Sequence, residues 1–354
     1  MRLAVKDLFD TAGVRTTYGS AVFSDHVPSE TAEAVRRLQA AGYVNVGKTN
    51  LHEFAYGVTS QNRHYGTVPN PLAPGRTAGG SSGGSAAALA AGLADAALGT
   101  DTGGSIRIPA ACCGITGFKP TFGLVPTEGV FPLAPSFDHA GPMARDVAGC
   151  EAMMSALVPG FAAAPAELAA VRAGVAWCAL SDRLVSERVR EAAALFPLAR
   201  EIELPLAGGI SRLFMREVGD VHRDLFEEHG ELYGDNIAPK IERCLAITDS
   251  EAAAAAAERD AYRRTILAAI EPFDLLLVPT LALVPPSADV DEIEVRASLT
   301  QFTFPFNALG WPALALPCGQ AEHGLPASIQ IVGRPGADEL VIGVGHVLEA
   351  ALAR

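Results

Sequence analysis

The chain has 354 residues, of which 49% are hydrophobic and 19% are charged, and its formal net charge is −13. This composition excludes a disordered tail protein, which would be poor in apolar residues and rich in charge. The negative charge argues against nucleic acid as the main partner, because binding to phosphates needs a basic surface. A chain of this length forms one large domain or two ordinary ones, and either can bury a sizeable core.

Strand and helix patterns alternate near the N-terminus. Residues 3–5 form an apolar run that ends at Lys6, which predicts a strand with this lysine at its end. Ser29 is the expected N-cap of a helix that stops near Gly42, and residues 43–46 predict the next strand. This strand–helix–strand order favours an α/β sheet.

Two glycine-rich turns follow. Residues 59–84 are polar and rich in Gly, Pro, Asn and Ser, which predicts a long and therefore functional loop ending in G-G-S-S-G-G-S. A small-residue helix is predicted at 86–92 and a strand at 94–98, after which the second turn reads G-T-D-T-G-G-S-I-R-I-P. Both turns are expected on one edge of the sheet, where α/β proteins place their ligands.

Helical patterns dominate the rest of the chain, with short strands between them. We find no internal repeat, no stretch long and apolar enough to span a membrane, and no apolar core of a signal peptide. The six cysteines show no C-x-x-C pair, which favours a reduced, cytoplasmic protein. The predicted helices are 145–157, 251–270 and 339–352, and the predicted strands are 172–178, 274–278, 313–317 and 328–332.

The serines of the two glycine-rich turns are candidates for nucleophilic catalysis. Ser81 and Ser105 lie 24 residues apart, and Gly103 and Gly104 allow a sharp turn that exposes N–H groups as in an oxyanion hole. A serine nucleophile needs a base, and a lysine such as Lys6 can serve only if burial or nearby cations keep it neutral. The alternatives are two ordinary turns and a solvated surface lysine, since Gly and Ser are common in turns.

Two familiar motifs explain these turns less well. Residues 79–83 formally match G-x-S-x-G, but a nucleophile elbow needs a strand directly before it, and N-P-L-A-P-G-R-T-A cannot form one. A phosphate-binding loop would need G-x-x-x-x-G-K, which neither of these two turns contains.

The chain closely resembles the amidase signature family in motifs that occur in the family's order. These are V-K-D-L-F-D, G-K-T-N-L-H-E-F-A, G-G-S-S-G-G-S-A-A-A, G-T-D-T-G-G-S-I-R-I-P-A, S-F-D-H-A-G-P-M-A-R and the late F-N-A-L-G-W-P-A-L-A-L-P-C-G. The resemblance implies an α/β fold with a large mixed, mostly parallel-type twisted sheet flanked by helices on both faces. It also implies one amidase domain over residues 1–354, shortened at the N-terminus, in which residues 160–300 form a helical elaboration on the substrate side.

The resemblance implies a Ser–cis-Ser–Lys triad and its surroundings. By motif position, Ser105 is the nucleophile, Ser81 is the bridging serine after a cis peptide bond with Gly80, and Lys6 is the base. The other implied groups are the oxyanion hole (backbone N–H of Thr102, Gly103, Gly104 and Ser105), the supporting residues (Ser82, Asp101 and Arg107) and the substrate pocket (Ala55, Tyr56 and Gly57).

The implied function is an amidohydrolase that cleaves a carboxylic amide C–N bond through an acyl-enzyme and releases ammonia or an amine. Two alternatives stay open: the glutaminase component of a tRNA-dependent amidotransferase, and an inactive, binding-only member with an impaired Lys6. The expected partner is a small-molecule amide, with no metal or cofactor, no nucleic acid and no membrane, and with a homodimer as the candidate assembly.

Overall fold

A ten-stranded mixed sheet is the frame of the fold in a computed structural model that describes residues 1–353 of the chain. The strands are β1 (Arg2–Lys6), β2 (Val44–Thr49), β3 (Gln61–Asn62), β4 (Gly66–Thr67), β5 (Ala96–Asp101), β6 (Thr116–Lys119), β7 (His139–Ala144), β8 (Ala173–Val175), β9 (Arg200–Glu201), β10 (Leu275–Pro279), β11 (Ala313–Gln320) and β12 (Pro326–Val332). The helices are α1 (Glu33–Ala40), α2 (Gly83–Ala90), α3 (Arg107–Cys113), α4 (Val147–Leu157), α5 (Arg183–Ala193), α6 (Ser211–His229), α7 (Ala238–Leu245), α8 (Asp249–Ala269), α9 (Glu292–Thr300), α10 (Phe304–Leu309) and α11 (Asp338–Leu352).

The order of strands in the large sheet is β2-β1-β5-β7-β6-β11-β12-β10-β8-β9, and β3 and β4 form a separate hairpin. The pairs at the two ends, β2-β1-β5 and β10-β8-β9, are parallel. The five pairs between them are antiparallel. The predicted large mixed α/β sheet is confirmed, with its parallel pairs confined to the two ends.

Helices cover both faces of this sheet. Side chains alternate between faces along a strand, so Leu3 and Val5 of β1 join a buried cluster with α1, α4, α5 and α11. Ala4 points to the opposite face and joins α2 and α3. A third buried cluster, rich in aromatic residues, packs α6, α7, α8 and α10 against the same sheet. The site described below lies where this third cluster meets α2 and α3.

Some predicted elements differ in extent from the observed ones. Helix α1 begins at Glu33 with Ala32 as N-cap, and not at Ser29, because the Ala32 amide is bound to the Asp10 carbonyl at 3.0 Å. Strand β8 has only three residues, since Trp177 adopts a left-handed conformation with φ of 63°. The segment 160–300 holds helices α5 to α9 but also contributes β8, β9 and β10 to the main sheet. Its role as an elaboration of one domain stays a prediction.

Two further properties of the described chain concern membranes and thiols. Within residues 1–353, no helix is both long enough and apolar enough for a membrane crossing. All six cysteines are free and buried. Burial raises the pKa of every one of these thiols, for example that of Cys113 and that of Cys318 to about 12.

Candidate active site

Three segments bring the predicted catalytic residues together. Lys6 ends β1, Ser81 precedes α2, and Ser105 lies in the turn between β5 and α3. Because β1 and β5 run parallel with Val5 opposite Leu98, their carboxyl ends meet at one edge of the sheet. The Ser82 amide donates to the Ser105 carbonyl at 3.2 Å, which ties the two glycine-rich turns to each other.

Lys6 is fully buried, and its side-chain nitrogen contacts three hydroxyl groups. Lys6 Nζ lies 2.7 Å from Ser81 Oγ, 2.9 Å from Ser82 Oγ and 2.7 Å from Thr100 Oγ1. Burial lowers the pKa of Lys6 to about 7, against the opposing pull of two nearby carboxylates. A large fraction of this lysine is therefore neutral near pH 7, with a lone pair that can accept the Ser81 proton.

Thr100 is a member of this contact set that the sequence analysis missed. It lies on β5, the parallel neighbour of β1, and its hydroxyl is as close to Lys6 Nζ as that of Ser81. Ser82 Oγ also donates to the Thr100 carbonyl at 3.2 Å. The available indication was that G-T-D directly follows the predicted strand 94–98, at the sheet edge where both glycine-rich turns were expected.

The Gly80–Ser81 peptide bond is cis, as the family resemblance implies. The Ser81 carbonyl accepts hydrogen bonds from the His52 amide at 3.2 Å and from Ser60 Oγ at 3.3 Å. Ser60 Oγ in turn accepts from the Gly83 amide at 3.1 Å. These contacts hold the backbone of the buried Ser81 in place.

The loop that carries Ser105 is organised by a buried ion pair. Arg107 donates to both oxygens of Asp101, with Nη2–Oδ1 at 2.8 Å and Nε–Oδ2 at 2.9 Å. The same carboxylate accepts from the amides of Gly104 at 2.8 Å and Ile106 at 3.1 Å. Burial alone would raise the pKa of Asp101, but Arg107 holds it well below its usual value. Asp101 and Arg107 therefore fix the backbone on both sides of Ser105.

Residues from the C-terminal part of the chain hold Arg107 in turn. Its Nη1 donates to the Thr303 carbonyl at 3.0 Å and to Gln330 Oε1 at 2.6 Å, and its Nη2 donates to Asn307 Oδ1 at 2.6 Å. Asn307 Nδ2 closes the network by donating to the Asp101 carbonyl at 2.7 Å. The sequence analysis did not predict these three partners, although F-N-A-L-G and S-I-Q-I-V carry two of them.

The four backbone amides assigned to the oxyanion hole are not equivalent. The Gly104 amide is already bound to Asp101. The amides of Thr102, Gly103 and Ser105 have no hydrogen-bond acceptor among residues 1–353. Three donors thus remain available beside Ser105 for a developing negative charge.

A cavity of about 290 Å³ opens beside Ser105. It is lined by Ala55, Tyr56 and Gly57, the residues assigned to the substrate pocket, and by Thr102, Gly103 and Ser105. The structure thus brings the assigned pocket and the assigned nucleophile together. In the described chain Lys6 is hydrogen-bonded to Ser81, whereas no hydrogen bond joins Ser81 Oγ to Ser105 Oγ.

Known proteins match this chain over most of its length. The family model described as Amidase matches residues 1–169 and 198–342. The chain belongs to the amidase family. This amidase is 35% identical to one component, named A, of the glutamyl-tRNA(Gln) amidotransferase of Roseiflexus sp. (strain RS-1), over 98% of this chain and 82% of that protein.

Two further relatives are hydrolases by name. This amidase is 34% identical to AtzE, a component of the 1-carboxybiuret hydrolase of Pseudomonas sp. (strain ADP), again over 98% of this chain and 82% of that protein. A solved structure described as an amidase is 36% identical, with a TM-score of 0.88, and the match covers 99% of this chain and 84% of that one. The predicted family and its enzyme class, hydrolysis of C–N bonds in non-peptide amides, are confirmed.

Proposed function

We propose that this amidase hydrolyses a small linear amide through an acyl-enzyme on Ser105. The observation that supports this most strongly is the buried Lys6, whose pKa is about 7 and whose Nζ lies 2.7 Å from Ser81 Oγ. A base of this pKa next to a bridging hydroxyl is suited to proton transfer near neutral pH. Ser105 lines the same cavity as the assigned pocket residues.

The reaction begins with proton transfer. Neutral Lys6 accepts the proton of Ser81 while Ser81 accepts that of Ser105, and Ser105 Oγ forms a bond to the amide carbonyl carbon. Catalytic hydrogen bonds are often loose without substrate and tighten when it binds. In this proposal a rotation of the Ser105 side chain completes the contact with Ser81.

The remaining steps return the protons. The amides of Thr102, Gly103 and Ser105 stabilise the oxyanion of the tetrahedral intermediate. The C–N bond then breaks, and the leaving nitrogen takes a proton from Ser81, so that ammonia or an amine departs. Water attacks the Ser105 ester by the same relay, and the carboxylate product leaves.

The test is the Ser105→Ala variant together with a serine-directed fluorophosphonate. We expect kcat to fall by at least about a thousandfold, as for other catalytic serines, and the reagent to add to Ser105 in the unsubstituted protein only. Ser155→Ala removes an exposed hydroxyl from α4 and serves as the matched control. Substantial turnover by the Ser105→Ala variant would exclude the proposal.

The glutaminase component of an amidotransferase is the second candidate, and it is favoured by the similarity to the Roseiflexus protein. A screen of aliphatic, aromatic and urea-type amides that includes glutamine, with ammonia as readout, separates the two. Ammonia release from glutamine alone would favour the glutaminase. A binding-only protein would not react with the fluorophosphonate, and the contacts of Lys6 described above count against that alternative.

A further inference from the structure

The first four residues of the motif S-F-D-H-A-G-P-M-A-R, residues 136–139, supply no member of the triad, yet they lie beside the oxyanion hole. Strand β7 begins at His139 and pairs antiparallel with β5, so that His139 lies opposite Asp101. In an antiparallel pair, one step back along one strand matches one step forward along the other. The register of the sheet therefore brings the side chain of Asp138 next to Thr102.

The Asp138 carboxylate joins two parts of the wall of the Ser105 cavity. Thr102 Oγ1 donates to Asp138 Oδ1 at 2.6 Å, and the Leu133 amide donates to Asp138 Oδ2 at 2.9 Å. The Ala134 amide donates to the same Oδ2 at 3.2 Å. Among the described residues, Thr102 and Leu133 line the cavity, whereas Asp138 does not. Asp138 therefore acts on the cavity through the residues that it binds.

Thr102 depends on this contact for the position of its side chain. In residues 1–353, the Thr102 hydroxyl makes no other hydrogen bond than the one to Asp138. The peptide units on the two sides of Thr102 carry the amides of Thr102 and Gly103, which are two of the three donors available beside Ser105. Because the directions of these N–H groups follow from the φ and ψ angles of Thr102, a fixed side chain limits how far they can turn.

Two helices fix the segment that carries Asp138. The Ser136 amide and hydroxyl donate to the two carboxylate oxygens of Glu217 on α6, at 2.8 and 2.5 Å. Arg259 Nη1 on α8 donates to Ser136 Oγ at 2.8 Å. The Asp138 carboxylate thus belongs to a segment that α6 and α8 hold independently of its contact with Thr102.

We propose that Asp138 is a positioning residue of the oxyanion hole, because it holds the Thr102 side chain so that the amides of Thr102 and Gly103 point at the developing negative charge. The inference rests on the proposed function at Ser105 and adds a residue to it. Loss of one donor from an oxyanion hole lowers kcat by about 10²–10³-fold. A displaced donor retains part of its effect, so we expect a smaller loss when only the side-chain contact is removed.

The experiment removes the side-chain contact of Thr102 and leaves its backbone amide in place. Thr102→Val deletes the hydroxyl at nearly constant volume, whereas Thr102→Ser keeps it. With butyramide as substrate, kcat of Thr102→Val should fall about tenfold to a hundredfold and KM should change by less than about twofold, because the oxyanion forms only during the reaction. Thr102→Ser should stay within about threefold of the unsubstituted protein, since its hydroxyl can reach the same acceptor.

All rates are measured at about pH 9, and the pH is chosen to exclude a second effect of Asp138. Its carboxylate also raises the pKa of Lys6 against the larger effect of burial, so substitutions of Asp138 change that pKa as well. Well above a pKa of about 7 the lysine is neutral in every variant. Differences in kcat then report the oxyanion hole and not the proton affinity of Lys6.

A double variant shows whether Asp138 acts through Thr102. Adding Thr102→Val to Asp138→Ala should change kcat by less than about twofold, since both substitutions break the same contact. Thr116→Val is the matched control, because Thr116 is buried on β6 and its hydroxyl has no hydrogen-bond partner in the described chain. It should leave kcat unchanged. Equal losses in Thr102→Val and Thr102→Ser, or losses that multiply in the double variant, would overturn the inference. If Asp138→Ala does not fold, the comparison of Thr102→Val with Thr102→Ser decides alone.

The fluorophosphonate separates failure of this inference from failure of the proposed function. Ser105 Oγ bonds to phosphorus, fluoride leaves and the Ser105 proton passes to Ser81, while the phosphoryl oxygen takes the place of the oxyanion. A rate constant for this reaction that falls about tenfold in Thr102→Val, and not in Thr102→Ser or Thr116→Val, supports the inference. It does so even if butyramide is not hydrolysed, which counts against the proposed function alone. An unchanged rate constant in Thr102→Val overturns the inference even if butyramide is hydrolysed.

Discussion

At the scale of single residues, the proposed chemistry depends on a lysine that loses its proton near neutral pH. Burial sets the pKa of Lys6 at about 7, and only the neutral amine can accept the Ser81 proton. We therefore expect kcat/KM for an uncharged amide to rise with pH, with an apparent pKa near 7, and to level off above it. A profile that keeps rising towards pH 10 would show that the lysine is not held neutral.

The Thr100 hydroxyl is expected to position Lys6 and to tune its pKa. Thr100→Val removes an acceptor from Lys6 Nζ at 2.7 Å with little change in volume. Because that contact favours the charged amine, its loss should move the acidic limb of the pH profile to lower pH. kcat should fall about tenfold to a hundredfold, corresponding to a buried hydrogen bond of about 1–3 kcal/mol.

Thr280→Val provides the control for that substitution. Thr280 is also buried, and its hydroxyl contacts Ser328 Oγ at 2.8 Å, outside the Ser105 cavity. It should lower stability without moving the acidic limb. If Thr100→Val lowers kcat and leaves the limb in place, Thr100 supports packing and not the proton affinity of Lys6.

At the scale of elements, the turn between β5 and α3 depends on one glycine and tolerates change at its neighbour. Gly104 has φ of +133°, and an added Cβ would overlap Thr303, whereas a Cβ on Gly103 would meet only Phe304 at 3.6 Å. Gly104→Ala should lower the free energy of unfolding by at least about 2 kcal/mol. Gly103→Ala should change it by less than about 1 kcal/mol. Urea denaturation of both variants checks this, and equal losses would contradict it.

The same turn shows which parts of the site the sequence could predict. Ser81, Ser105, Asp101 and Arg107 lie in short motifs whose glycines and strand ends fix their neighbours locally. The partners of Arg107 come from elements about 200 residues further along. Their contacts depend on where α10 and β12 pack, which local periodicity does not encode.

The cavity and the sheet also have features that local sequence patterns do not predict. Strand and helix positions near the N-terminus could be predicted because each element has its own apolar pattern. Arg296 lies in an exposed, charged helix with no motif, so only the packed structure reveals that it lines the same cavity as Ser105. The antiparallel pairing at the centre of the sheet could not be predicted from these patterns either, because pairing direction follows from the path of the connections between strands.

At the scale of the whole molecule, the site and the sheet are expected to unfold together. Lys6 lies near one end of the chain and Gln330 near the other, and both belong to one hydrogen-bonded sheet. Activity, far-ultraviolet circular dichroism and the fluorescence of Trp177 and Trp311 should therefore be lost at the same urea concentration. Separate transitions would show that residues 160–300 form an independent unit.

Because all six cysteines are buried, a thiol-reactive spectroscopic reporter should attach only to a cysteine introduced at the surface. Maleimides react with accessible thiolates, and in this fold every thiol is shielded and has a raised pKa. A Leu93→Cys variant, at a position 67% exposed in the turn after α2, should take up one reporter per folded chain, as mass spectrometry can count. More than one reporter per folded chain would contradict this, whereas a single one would allow motion near the glycine-rich turns to be followed during turnover without removing any natural cysteine.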